Sequence, residues 1–150
     1  MASTVSPVDA GQAYMELHHQ AHRVVERAMS AAGLSLGRAK VLMRLGAHGP
    51  MNQATLAGKL GFAPRSVTET VDALEREGLV TRADDPQDRR ARIVQLTPAG
   101  QDALELATTV RTKVMGEIFG VLTPEQRIHL VSLLDTVRTN LSQGEIDCGN

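Results

Sequence analysis

Three arginines lie close together in the second half of the chain, directly after a turn-forming segment. Arg89, Arg90 and Arg92 follow the sequence Asp-Asp-Pro-Gln-Asp, whose composition is typical of a surface turn. Each guanidinium carries a permanent positive charge and five N–H donors, which match phosphate oxygens and the guanine edge. The cluster therefore predicts a contact with a polyanion. Asp88, beside it, is expected to orient the tip by pairing with a nearby arginine.

A second set of polar side chains precedes this cluster, on a segment with the periodicity of a helix. Val67, Val71 and Leu74 recur three to four residues apart, which predicts one buried face. The opposite face carries the candidate contact residues Arg65, Ser66, Thr68 and Glu69. Arg65 can pair with guanine O6 and N7, and Glu69 can accept a hydrogen bond from cytosine N4. This face is therefore a candidate for reading base edges.

Two short helices joined by a tight turn are predicted to position this face. Asn52 can cap a helix over residues 53–60, because its side-chain oxygen accepts from the free amides of the first turn. Gly61 ends that helix, and Pro64 begins a second helix that runs to about Glu77. The pattern is that of a helix-turn-helix.

A β-hairpin is predicted to follow, with strands over residues 79–83 and 91–96 on either side of the arginine cluster. Thr97 is expected to cap a further helix that begins at Pro98. A helix-turn-helix followed by a hairpin with a basic tip is typical of DNA-binding proteins. Their second helix fits the major groove and the ribbon reaches a neighbouring groove.

The remaining segments are predicted to be helical. Apolar residues recur at helical spacing over residues 9–31, over residues 36–47 and from Pro98 to about Ile118. Thr123 begins a capping box for a last helix, and residues 144–150 are expected to fray. The fold class is therefore mostly α with a small β-hairpin.

Composition is compatible with a single domain of 150 residues that has an aliphatic core. The net charge of −1 does not by itself suggest a nucleic-acid partner. Between Leu34 and Thr97, however, ten Lys and Arg residues face seven acidic ones, and the rest of the chain is correspondingly acidic. Within the basic part, Glu75 and Glu77 are expected to form a solvated helix face. Arg82 and Arg92 are expected to be phosphate contacts or salt-bridge partners.

Several other kinds of chemistry find little support in the sequence. A nucleophile motif, a phosphate-binding loop and a zinc-binding Glu/His helix are all missing, so we expect neither an enzyme nor a cofactor. His18 and His22, four residues apart, can begin a metal site, but further ligands are not placed to complete it. A single cysteine, Cys148, excludes an internal disulfide. Without an 18-residue apolar run, we expect a cytoplasmic protein.

The order of these elements, from about Gly11 to Leu141, resembles the MarR family of winged helix-turn-helix transcriptional regulators. Two segments carry the resemblance most specifically, LEREGLVTR at residues 74–82 and DRRARIVQLTPAG at residues 88–100. The second is similar to the family's wing signature, an Asp-x-Arg followed by a short strand and Leu-Thr. The resemblance implies an obligate homodimer with interleaved first and last helices and one winged helix per subunit on a pseudo-palindromic operator.

The same resemblance divides the single domain of residues 1–150 into two parts. It implies a DNA-binding winged helix at about residues 34–97 and dimerisation helices at about 9–31 and 98–142. At the wing it places Arg90 as the arginine that enters the minor groove, with Arg89 second.

The resemblance further implies a sequence-specific regulator, expected to be a repressor, that a small phenolic or aromatic acid releases from DNA. The effector cleft is expected between the first helix, the helix over residues 36–47 and the helix after Pro98. Tyr14, His18 and His22 are candidate ligand-binding residues there, because a phenol and two imidazoles can hydrogen-bond such a compound. Two alternatives remain open, a constitutive DNA-binding regulator without an effector and a winged-helix protein-interaction module.

Overall fold

The computed structural model describes residues 4–143, which fold into helices and a small antiparallel sheet. The helices are α1 (Pro7–Ala31), α2 (Leu36–His48), α3 (Gln53–Leu60), α4 (Pro64–Arg76), α5 (Pro98–Phe119) and α6 (Pro124–Ser142). The strands are β1 (Met51–Asn52), β2 (Val80–Asp84) and β3 (Arg92–Leu96). The predicted frayed tail and Cys148 lie outside the described residues. None of the described helices is both long and apolar enough to span a bilayer.

The chain divides into two compact units, one reaching to Val114 and the other starting at Met115, so that the boundary falls within α5. The first unit contains the helix-turn-helix and the sheet. Its core is aliphatic, as the sparse aromatic residues predict, and its largest fully buried side chains come from α1, α2, α3, α4 and both long strands. They are Met29, Leu42, Leu56, Leu74, Val41, Val67, Val71, Val80 and Val94.

The ends of the helices follow from local capping. Asn52 accepts a 2.8 Å hydrogen bond from the amide of Thr55 at the start of α3, and Gly61 ends that helix with a φ of 65°. Pro64 occupies the first turn of α4, as predicted. α1 begins two residues earlier than predicted, because Ser6 and Asp9 form a capping box around Pro7.

The sheet has three strands rather than the two of the predicted hairpin. β2 and β3 pair from Val80 opposite Leu96 to Asp84 opposite Arg92. β1 adds to the other side of β3, giving the strand order β1-β3-β2. The sequence did not reveal β1 because two residues are too few to show an alternating pattern. Asn52 serves both as the last residue of β1 and as the cap of α3.

The base of the hairpin is fastened to the start of α5 around Thr97. Its hydroxyl donates to the carbonyl of Gly78 at 2.6 Å and accepts from the amide of Gly100 at 3.0 Å. Its own amide donates to the carbonyl of Leu79 at 3.1 Å. Gly100 allows this close approach, because a Cβ there would lie 1.8 Å from the carbonyl oxygen of Leu79. Movement of α5 at this point therefore moves the root of the hairpin.

Replacing Gly100 by alanine should destabilise the protein, because the new methyl group would overlap backbone that is hydrogen-bonded on both sides. We expect the free energy of unfolding to fall by at least about 2 kcal/mol. Urea unfolding followed by circular dichroism measures the change. Gly58→Ala is the matched control, since a Cβ there meets nothing within 4 Å. It should stabilise α3 by about 0.5–1 kcal/mol. Equal stability of the two variants would contradict the close contact.

Candidate nucleic-acid interface

The outward face of α4 presents the polar residues that the sequence singled out. Arg65, Ser66, Thr68 and Glu69 are exposed, whereas Val67 on the opposite face is fully buried. The Arg65 side chain is 90% exposed and that of Glu69 is 65% exposed, and Arg65 Nε lies 3.0 Å from Glu69 Oε1. The two candidate base-contacting residues are therefore paired with each other, one helical turn apart.

Thr68 has part of its hydrogen-bonding capacity occupied within the protein. Its hydroxyl donates to the carbonyl of Pro64 at 3.1 Å and accepts from Gln53 Nε2, also at 3.1 Å. With its proton committed to the helix backbone, Thr68 can offer an external ligand only acceptor capacity. Gln53 is the first residue of α3, so this bond also ties the two helices of the helix-turn-helix together.

Arg82 on β2 binds three side chains from the two helices of the helix-turn-helix. Its Nε donates to Gln53 Oε1 at 2.9 Å, while its two terminal nitrogens each lie 2.5 Å from a carboxylate of α4. The carboxylates belong to Asp72 and Glu75. Only 10% of the Arg82 side chain is exposed. Of the two roles expected from the sequence, the structure shows the salt-bridge partner.

Each carboxylate along α4 is thus paired with an arginine. The helix itself carries Arg65 and Arg76 against three acids, which gives it a charge of −1. Arg65 binds the first acid and Arg82 binds the other two. Beyond the helix end, Glu77 lies 2.7 Å from Arg38 of α2. Glu75 and Glu77 are exposed, as expected of a solvated face, and each is also paired with a basic side chain from β2 or α2.

Two of the three arginines at the hairpin tip are exposed and form no ion pair with the described residues. Arg89 and Arg90 are exposed. Arg92 is the first residue of β3, and its Nε lies 3.6 Å from Oδ1 of Asp84, its pairing partner on β2. Asp88 accepts a 2.9 Å hydrogen bond from the backbone amide of Arg90. Asp88 therefore does bind a nearby arginine, as expected, but through the backbone amide of Arg90 in a local turn.

The residues proposed for a ligand lie along one stripe of α1. The ring centroids of Tyr14 and His18 are 6.0 Å apart, and those of His18 and His22 are 6.1 Å apart. All three side chains are exposed. Among residues 4–143, three or more potential metal-ligating side chains do not come together anywhere.

A groove of about 560 Å³ opens between α2 and α5. The two helices approach closely here, because Gly46 leaves room for the side chain of Leu104. The lining is Met43, Gly46, Ala47, Gln101, Leu104, Glu105, Thr108, Thr109 and Arg111. Two of the three elements expected around a ligand cleft thus form this groove. Tyr14, His18 and His22 do not line it, so their ligand role stays a prediction.

Removing the Arg82 guanidinium should destabilise the winged unit. Arg82→Ala leaves two carboxylates and one amide without their shared partner, and we expect a loss of about 2 kcal/mol in the free energy of unfolding. Denaturant unfolding measures it. Arg92→Ala is the matched control, because an exposed ion pair at 3.6 Å should contribute no more than about 0.5 kcal/mol. A loss for Arg82→Ala no larger than the control's would contradict this account.

Two comparisons with known structures establish the fold. The protein is similar to a mutant MarR from E. coli complexed with operator DNA, with a TM-score of 0.75 and 23% identity over 85% of this chain and 91% of that one. It is also similar to BpsR from Bordetella bronchiseptica, whose DNA binding is regulated by 6-hydroxynicotinic acid. The TM-score is 0.75 at 22% identity, over 86% of this chain and 98% of that one.

Sequence comparison adds the family. Residues 34–91, which contain α2, α3, α4, β2 and the hairpin tip, match the sequence model of the MarR family. YdgJ, an uncharacterized HTH-type transcriptional regulator of Bacillus subtilis strain 168, is 28% identical over 77% of this chain and 71% of its own length. The wing signature, the three-stranded winged sheet and these matches agree. Residues 34–91 therefore form a MarR-type domain, within a chain that has the winged helix-turn-helix fold of MarR regulators.

Proposed function

We propose that this regulator binds a pseudo-palindromic operator in double-stranded DNA as a homodimer. In this proposal α4 enters the major groove and the hairpin tip enters the adjacent minor groove. The supporting observation is the Arg82 contact set, because it joins the strand that carries the hairpin to the helix with the outward polar face. DNA as the partner would place its action in the cytoplasm.

The proposed role of each side chain follows from its exposure and from the hydrogen-bonding groups that it does not use within the protein. Arg65 and Glu69 have exposed side chains and are proposed to contact bases, with Ser66 and the acceptor lone pair of Thr68 beside them. Arg89 and Arg90 are free to enter a narrow minor groove, which concentrates negative potential. Arg92 is proposed to bind a phosphate at the groove edge. The winged unit is then about residues 34–97, as the sequence suggested.

Arg90→Ala should weaken operator binding about 5- to 150-fold, the scale of one good arginine contact of 1–3 kcal/mol. Fluorescence anisotropy with a labelled operator duplex measures the affinity. The control is Arg27→Ala, which removes the same charge from α1 and should leave the affinity close to that of the wild type. If both substitutions weaken binding equally, net charge rather than the wing governs the affinity. Unchanged affinity of Arg90→Ala would show that the wing does not reach the DNA.

The dimer is proposed from the apolar surface that one chain leaves uncovered. α6 contains no buried residue, although apolar residues recur along its length. The exposed apolar side chains of α1 and α6 are Val8, Tyr14, Met15, Leu17, Val24, Ile128, Val131, Leu133, Leu134, Val137 and Leu141. Exposed apolar side chains in this number are typical of helices that form an interface. A second copy is the partner that also supplies the two-fold symmetry of a palindromic site.

Leu134→Glu should convert the dimer to a monomer, because it places a charge in the proposed apolar interface of α6. Ser132→Glu adds the same charge to the opposite side of the helix and should leave the dimer intact. Light scattering at micromolar concentration distinguishes the two states. A monomeric wild-type protein, or a dimeric Leu134→Glu variant, would contradict the proposal.

The groove between α2 and α5 is proposed to hold a small aromatic acid that releases the protein from DNA. Met43, Ala47 and Leu104 supply apolar walls for a ring, and Arg111 supplies a cation for a carboxylate. A ligand there would press on α5, whose first turn is fastened to the hairpin root through Thr97. The regulation of BpsR by 6-hydroxynicotinic acid supports an effector of this class. The alternative is a constitutive regulator without an effector.

Titration of hydroxybenzoic and hydroxynicotinic acids against the protein–operator complex decides between these two. An effector should lower the DNA affinity, and DNA should lower the effector's affinity by the same factor. Arg111→Ala should abolish the response if the groove is the site, whereas Tyr14→Phe or His22→Ala should abolish it if the α1 stripe is. A DNA affinity that no compound changes would favour the constitutive regulator. DNA binding that is insensitive to both salt and sequence would instead favour a protein-interaction module.

A further inference from the structure

The ion pair between Arg65 and Glu69 is unusual for its position on the outermost face of α4. An exposed pair four residues apart in a helix stabilises it by only about 0.3–0.5 kcal/mol, so stability accounts for little of this arrangement. A carboxylate at the centre of a DNA-facing helix would also repel phosphates on both sides of the major groove. Pairing with Arg65 at 3.0 Å removes that repulsion.

The pair leaves complementary hydrogen-bonding groups free. Arg65 uses Nε for Glu69, so its two terminal amino groups remain available as donors. Glu69 uses Oε1, so Oε2 remains available as an acceptor. The Cα atoms of the two residues are about 6 Å apart along the helix axis, but the ion pair brings their charged groups into contact, with Nε and Oε1 3.0 Å apart. Successive base pairs rise by about 3.4 Å, so two charged groups held in contact can address neighbouring base pairs.

We infer that Arg65 and Glu69 form a single reading unit that selects guanine and cytosine in neighbouring base pairs of the operator half-site. The inference rests on the proposed DNA-binding function. Arg65 donates to guanine O6 and N7, and Glu69 accepts from the N4 amine of cytosine. Glu69 also acts by exclusion, since a carboxylate repels the acceptor edges of guanine and thymine at its position.

This unit makes a distinct prediction for substitution of Glu69. Glutamine has both a donor and an acceptor, which matches adenine N6 and N7 rather than cytosine N4. Glu69→Gln should therefore change the preferred base at one position from cytosine to adenine and leave the guanine read by Arg65. Arg65→Ala should lose discrimination at both positions, because it also leaves Glu69 as an unpaired charge near the phosphates.

The test is selection from a random duplex library with the full-length wild type, Glu69→Gln and Arg65→Ala. Glu26→Gln, an exposed carboxylate on α1, is the matched control and should return the wild-type consensus. Anisotropy on single-base variants of the selected site should show about 5- to 150-fold discrimination at each of the two positions. Circular dichroism confirms that each variant is folded.

The outcomes separate the two claims. Adenine replacing cytosine for Glu69→Gln supports the reading unit. A wild-type consensus retained by Glu69→Gln, or one without adjacent guanine and cytosine, overturns the unit while DNA binding stands. If the wild type enriches no sequence at all, the proposed function fails and the reading unit fails with it.

Discussion

Arg82 extends from β2 so that its guanidinium meets two carboxylates of α4 and the amide of Gln53 on α3. A guanidinium has five donors in a rigid plane, whereas the three donors of an ammonium group lie close together on one rotatable nitrogen, so the guanidinium is better suited to three separated partners. The arginine is almost fully covered, whereas its carboxylate partners remain about half exposed. The acids therefore keep much of their hydration, and the usual desolvation cost of a buried ion pair is reduced.

The charge balance of α4 depends on this contact. Taken alone, the helix has one more acid than base, which is a poor starting point for approach to a polyanion. Arg82 supplies the missing positive charge from the neighbouring strand, and Gln53 links the same guanidinium to Thr68. The hairpin thus has two proposed tasks. Its tip presents Arg89 and Arg90 outward, and its root neutralises and braces the helix beside it.

Much of this fold could be predicted from the sequence because its signals are local. Capping residues, prolines at first helical positions and apolar spacing located the helices that residues 4–143 form. Val67, Val71 and Leu74 proved to be the buried face of α4. Strand β1 could not be predicted, since its two residues are defined only by their pairing with Val94 and Ile93.

The candidate site was less predictable, because its contacts cross between elements. The acidic residues of α4 are visible in the sequence. No local sequence pattern, however, indicated that Asp72 and Glu75 would both bind Arg82, which lies on the following strand. The pairing of Arg65 with Glu69 follows helical spacing and was within reach of sequence reasoning. The groove between α2 and α5 depends on tertiary packing at Gly46 and was predicted only through family resemblance.

The central claim is that Arg82 supports DNA binding by neutralising and bracing α4 rather than by contacting DNA itself. Operator affinity of Arg82→Met, alone and combined with Asp72→Asn and Glu75→Gln, tests it most directly. We predict that Arg82→Met loses about 10-fold or more in affinity, equivalent to about 1.4 kcal/mol. The triple variant should recover most of that loss, because the carboxylates no longer repel the phosphates. A triple variant that binds as weakly as Arg82→Met would contradict the claim that Arg82 supports DNA binding by neutralising these carboxylates.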